Sequence, residues 1–146
     1  MRKNSSWVAA AMTAAVLGLA GCAAQVAAVE TPDVAVKVRP ITGTDRSTVT
    51  LTDAAMARLG VKTEAVLAAP VGHVGTVSYG AVLYDAAGAA WVYTSPAPRS
   101  FVRVPIAVDR VDGNLAYLKS GPKVGTAVVT VGVPELFGAE YGVGGE

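Results

Sequence analysis

The sequence reads as an all-β protein: a small barrel or sandwich of short antiparallel strands with one short helix, preceded by a signal helix and a flexible tether. Three observations predict this. Gly (16) and Pro (8) are plentiful, while charged residues make up 16% and aromatic residues 6%, a balance that suits short strands and turns rather than long, surface-charged helices. From Ser47 onward, β-branched or alternating stretches recur about every 8 to 12 residues with turn residues between them. The chain of 146 residues, 52% of them hydrophobic, builds one core and not two.

The N-terminus reads as an address. Arg2 and Lys3 are followed by a run without Asp, Glu, Lys or Arg from Asn4 to Val29, and Trp7 to Ala20 is its apolar stretch. A positive start, an apolar stretch and small residues form the layout of a secretory signal peptide. Leu19-Ala20-Gly21-Cys22 resembles the lipobox of bacterial lipoproteins. That resemblance implies removal of residues 1–21 and a diacylglycerol on the Cys22 thiol, which becomes the first mature residue. Several acyl chains hold a protein stably at a bilayer where one does so reversibly. The alternative is an uncleaved transmembrane helix from Trp7 to Val29.

Residues 22–46 read as a tether of small residues, scattered charges and two prolines, with a root-mean-square reach of ~25 to 30 Å. The brief alternation over Val34 to Val38 allows an edge strand. Residues 47–142 read as the folded β domain. Ser47 to Leu51 is a strand; Thr52-Asp53 then supplies N-cap chemistry to a helix over Ala54 to Leu59, stopped by Gly60. Val61 to Leu67 alternates, with Val61, Thr63, Ala65 and Leu67 on one face and Lys62, Glu64 and Val66 on the other. The glycines between Val71 and Tyr84 predict two short strands with a bend. Hairpins follow at Asp85 to Gly88 and at Ser95 to Arg99, and a turn at Asp112-Gly113-Asn114 precedes a strand over Leu115 to Leu118. Ala127 to Val133 is the most buried-looking strand; after Pro134 comes one helical turn, and residues 143–146 are a disordered tail.

The order of these pieces carries a resemblance. Leu51 to Val66 (LTDAAMARLGVKTEAV) and Val77 to Gly142, most specifically AVLYDAAGAAWVYT (Ala81 to Thr94), FVRVPIAV (Phe101 to Val108) and SGPKVGTAVVTVG (Ser120 to Gly132) with the following ELFG, resemble a family. It is the membrane-proximal region of the periplasmic adaptor subunits, the membrane fusion proteins of tripartite efflux pumps and haemolysin-type secretion systems. The resemblance implies a β-rich, non-enzymatic scaffold that docks onto an inner-membrane efflux transporter, on a lipid anchor consistent with Cys22. Only Ala68 to Thr76 separates the matching stretches, so the lipoyl-like domain and helical hairpin of a full adaptor have no room. The module by itself builds no conduit wall.

A net charge of +1 supplies no field for nucleic acid, and one His with one Cys falls short of a zinc ligand set. No cofactor is expected. Gly121 to Thr126 (GPKVGT) lacks phosphate-loop spacing and precedes a strand. Trp91, Tyr93 and Phe101, with Arg103 nearby, form a candidate partner-contact patch; the competing reading for the aromatics is core packing. Arg99, Arg103 and Arg110 also suit solvated strand edges. His73 stands alone among Val and Gly, and Glu135 with Glu140 makes a poor acid–base pair near a fraying end.

Two functions follow as expectations. The first is a lipid-anchored, non-enzymatic adaptor-like protein at the extracytoplasmic face of a bacterial membrane, docking onto a transporter or a full-length adaptor by an edge strand or an apolar face. The second is a lipid-anchored binding protein for a small molecule or ion on the same fold. A domain this small is expected to hold no sizeable cavity, which favours docking.

Overall fold

A computed structural model describes residues 35–142, which hold nine strands and two α-helices. In chain order they are β1 (Val36–Pro40), β2 (Ser47–Leu51), α1 (Asp53–Leu59), β3 (Lys62–Ala65), β4 (Gly75–Ser78), β5 (Leu83–Tyr84), β6 (Ala90–Ala97), β7 (Ser100–Asp112), β8 (Leu115–Ser120), β9 (Ala127–Val131) and α2 (Val133–Glu140). A 3-10 turn, Tyr79–Ala81, makes the bend expected between β4 and β5. The chain therefore adopts the all-β class expected of it. The segments expected to be the signal peptide, with Leu19, Ala20, Gly21 and Cys22, the tether up to residue 34 and the tail at 143–146 lie outside the described residues.

Residues 35–46, read as tether, instead form β1 and its turn into β2, with Val36 opposite Leu51 and Pro40 opposite Ser47. All the strand pairs are antiparallel. The main path runs β1-β2-β7-β6-β9-β3, and β8 joins β4 to the far half of β7. The sheet is not closed: the chain beyond β3 meets β4 through a single bridge, Leu67 opposite Thr76.

The 13-residue strand β7 serves both halves. Its pairing with β2 ends at Val102 and its pairing with β8 begins at Ala107. Pro105, which has no N–H to donate, falls in the interval where β7 pairs with β6 alone. Beyond it the register shifts, and Asp109 is left without a partner opposite it on β8.

Successive side chains on a strand point to opposite faces, so the central strands feed two cores. Tyr93 and Val129 pack with Val49, Leu51 and Phe101 under Ala55 of α1 and Val133 and Leu136 of α2. Val92 and Val128 pack on the other side with Val66, Val77, Ala81, Ile106, Ala116 and Leu118. Burial on both faces explains why β9 is apolar without alternation.

The helices follow local chemistry. Thr52 caps α1, its hydroxyl accepting from Ala55 N at 3.2 Å. Gly60 takes φ 60°, which lets Gly60 N donate to Ala57 O and Val61 N to Met56 O, the paired closure of a Schellman stop. One expectation needs correction. Helix α2 runs for eight residues rather than one turn, because Leu136 is buried and Glu140 is held from outside the helix. Around β3 the two faces alternate as expected: Val61 packs against the first core and Val66 enters the second, while Leu67 is exposed.

Candidate functional site

The densest polar cluster among the described residues is centred on Arg103, which faces Tyr93 across β7 and β6 and is 1% exposed. Its Nη2 donates to Tyr141 Oη at 2.9 Å and to the Asp45 carbonyl at 3.3 Å, with Asp45 Oδ2 at 3.6 Å. Its guanidinium carbon lies 4.1 Å from the centroid of the Trp91 ring and 5.6 Å from that of Tyr141. Its Nε stands 3.3 Å from Glu140 Oε2 but is not aligned for a hydrogen bond, so this contact is electrostatic.

Glu140, its side chain 3% exposed, is the counter-charge. Oε2 accepts from the Tyr93 hydroxyl at 2.5 Å and Oε1 from Ser47 N at 3.1 Å. Burial first, then this hydrogen bond and the negative charge of Glu140, push the Tyr93 phenol well above its ordinary value. The cluster thus clips α2 and the β1–β2 turn onto the sheet.

Tyr93, Phe101 and Arg103 do not form a contact patch: each is at most 1% exposed, because the face of β6 and β7 that carries them is covered by the two helices. Arg103 is likewise no strand-edge residue. Trp91 is half-buried, its Nε1 donating to Asp85 Oδ2 at 2.9 Å while its ring supports Arg103. That bond, with the Ala89 and Ala87 amides, lowers the pKa of Asp85.

A second cluster gathers on the bulge of β7. His73 Nε2 meets Asp109 Oδ2 at 2.9 Å, and Lys119 Nζ meets Asp109 Oδ1 at 2.6 Å. These bonds, Lys119 foremost, hold the Asp109 carboxyl down at about 2. The His73 ring also packs edge-on against Tyr117, with centroids 5.4 Å apart, and its Nδ1 is buried without a partner. Among the described residues no set of His, Cys, Asp and Glu is grouped to hold a metal ion.

The surface offers two further features. A groove of about 390 Å³ lies between the start of β1, α1 and α2, lined by Val36, Ala55, Leu59 and Ala139, with Arg58 and Glu135 also lining it. Its size departs from the expectation that so small a domain holds no such space; short Ala side chains at Ala55 and Ala139 leave the seam between the helices unfilled. In addition, β1 and β3 terminate the sheet, each pairing on one side only.

Sequence reasoning weighed Glu140 only as a poor acid–base partner of Glu135, missed Asp45 and Tyr141, and left His73 unpartnered. No local pattern flags these pairings, since the partners lie far along the chain. Comparison with known protein families, curated proteins and solved structures yields no match.

Proposed function

We propose that the chain is a non-enzymatic docking module, held at the extracytoplasmic face of a bacterial membrane by lipid on Cys22, that binds an inner-membrane efflux transporter or a full-length periplasmic adaptor. The open sheet carries this reading: β1 and β3 each expose one unpaired edge, the feature that strand addition by a partner uses. Lys37 and Arg39 on β1 are exposed and guard that edge against indiscriminate pairing. They select a partner strand bearing acidic side chains. The similarity of Leu51–Val66 and Ala81–Thr94 to adaptor subunits supports the same partner class.

Photo-crosslinking from Arg39 in detergent-solubilised membranes tests the docking. A transporter or adaptor subunit on the crosslinked product is the expected result, and a product holding neither sinks the reading. Mass spectrometry of the purified protein beside Cys22→Ala tests the anchor: a processed, acylated Cys22 is expected, and an intact Met1 start would refute it.

The groove supports a second reading, a carrier of small apolar ligands, because its volume falls in the range that such ligands need. Anilinonaphthalene sulfonate binding that Ala139→Leu abolishes would favour it over docking.

A further inference from the structure

Leu67, Val71, Val74 and Val124 are exposed aliphatic residues, and three of them meet at Gly75 through a backbone carbonyl, a side chain and a peptide bond. A carbon placed on Gly75 would lie 3.1 Å from the Leu67 carbonyl and 3.9 Å from Val124 Cγ2, so Leu67 and Val124 flank the glycine that follows Val74. All three are exposed. Beyond Val74 the chain turns sharply: His73 N donates to Pro70 O at 3.2 Å and Gly72 takes φ +98°, a type II geometry that places Val71 at the outer corner. Val71 is 104% exposed and touches nothing that shelters it.

This turn is fastened at its base. His73 is bonded to Asp109 at 2.9 Å and its side chain is only 13% exposed. Val74 N donates to the Leu118 carbonyl at 2.9 Å, which ties the turn to β8 as well. One exposed valine is ordinary, but four exposed aliphatic residues near one fixed turn present apolar area whose burial against an apolar surface is favourable.

The surroundings identify the receiver. Lys119 and Lys123 are exposed beside the patch, and Arg110 lies over the Tyr117 ring at 3.8 Å, next to His73. Asp109 is the carboxylate bonded within this group. The exposed apolar residues are aliphatic alone, whereas anchors at protein interfaces are enriched in Trp, Tyr and Arg. Aliphatic side chains rimmed by cations complement a surface that is apolar within and anionic at its face.

We infer that Leu67, Val71, Val74 and Val124 enter the interface of an anionic lipid bilayer while Lys119, Lys123 and Arg110 meet its headgroup phosphates. The contact requires neither the lipid on Cys22 nor a transporter, so it stands or falls apart from the docking reading.

The test uses the full chain with its single cysteine replaced, Cys22→Ser, and an environment-sensitive dye on Val71→Cys or, as control, on Thr42→Cys in the exposed β1–β2 turn. The protein is reconstituted in phosphatidylcholine–phosphatidylglycerol vesicles carrying nitroxide-labelled lipid. Quenching several-fold stronger at position 71 than at position 42 is expected. Lys123→Gln should weaken the contact roughly fivefold, the usual worth of one cation near such a surface. Equal quenching at the two positions overturns the inference, as does unchanged quenching on phosphatidylcholine alone. Dye at position 71 shielded from soluble iodide only when a membrane protein is added would also overturn it, in favour of a protein partner.

Discussion

Replacing Arg103 with Met removes a charge while keeping most of the side-chain length. Glu140 then remains 3% exposed, with the Tyr93 hydroxyl and Ser47 N as its donors and no cation beside it. An uncompensated buried charge costs about 3 to 5 kcal/mol, a large share of the roughly 5 to 15 kcal/mol that holds such a domain together. In Arg103→Met/Glu140→Gln the charge is gone and the amide oxygen still accepts from Tyr93 or Ser47. The remaining loss is that of neutral hydrogen bonds and of the stacking on Trp91, about 1 to 3 kcal/mol. The double variant is therefore expected to be as stable as Arg103→Met or more so, with a coupling energy of roughly 2 to 4 kcal/mol between the two sites. Urea titrations followed by circular dichroism, with the m-value checked for constancy, measure this directly. If the two losses simply add, or if Arg103→Met costs less than about 0.5 kcal/mol, Arg103 and Glu140 are not the compensated pair described here.

Asp109 has its pKa held at about 2, below the ordinary 3.8, so its bonds to Lys119 and His73 contribute stability that is complete above the unfolded value and is lost as pH falls through the folded one. Asp109→Asn should narrow its stability gap to the parent between about pH 4 and pH 2 in acid titrations, and a gap that persists unchanged at the lower limit contradicts that assignment. Tyr93 is shifted upward, so its contribution is complete below pH 10 and fades as pH rises beyond it, where the unfolded phenol ionises first. Tyr93→Phe should therefore lose about 1 to 3 kcal/mol at neutral pH, by depriving Glu140 of a donor, yet show a flatter alkaline limb in the same titration. A carbon added at Gly75 would stand 2.7 Å from Val66 Cγ1, a buried and conformationally stiff side chain. Gly75→Ala is accordingly expected to cost about 1 to 3 kcal/mol by urea unfolding, and a neutral effect would mean that Val66 yields more easily than its packing suggests.

Elements governed by near neighbours were legible in the sequence. Thr52 and Gly60 delimit α1 because capping is decided within a few residues, and Gly88 and Gly113 take positive φ in the turns where their neighbours predict them. What escaped was decided at long range. His73 and Asp109 are 36 positions apart, and the register shift in β7 that frees Asp109 to meet His73 depends on pairing with β8. Glu135 and Glu140 look alike in sequence, but one is exposed and the side chain of the other is buried, because Glu140 lies against Tyr93 and Ser47, which are far away in the sequence. The alternation from Val61 to Val66, by contrast, was legible, because side-chain direction along a strand is set locally: Val61 packs against one core and Val66 enters the other.

The choice of arginine at position 103 follows from the number of groups that one side chain must serve in a water-poor space. Its flat guanidinium stacks over Trp91 while one nitrogen donates both to Tyr141 and to the Asp45 carbonyl and another faces Glu140. A lysine ammonium is a single point with no planar face, more strongly hydrated, and cannot meet the ring, the helix end and the β1–β2 turn from one position. The same fork therefore joins three parts of the chain that share no strand pairing with one another: β6 through Trp91, the end of α2 through Glu140 and Tyr141, and the turn before β2 through Asp45. Local propensity barely favours the last turn of α2, and the β1–β2 turn has one further tie to β7, from Arg46 Nη1 to the Arg103 carbonyl at 3.3 Å. Arginine at this position makes both contingent on the central sheet being formed, which gives the β1 edge strand a fixed support.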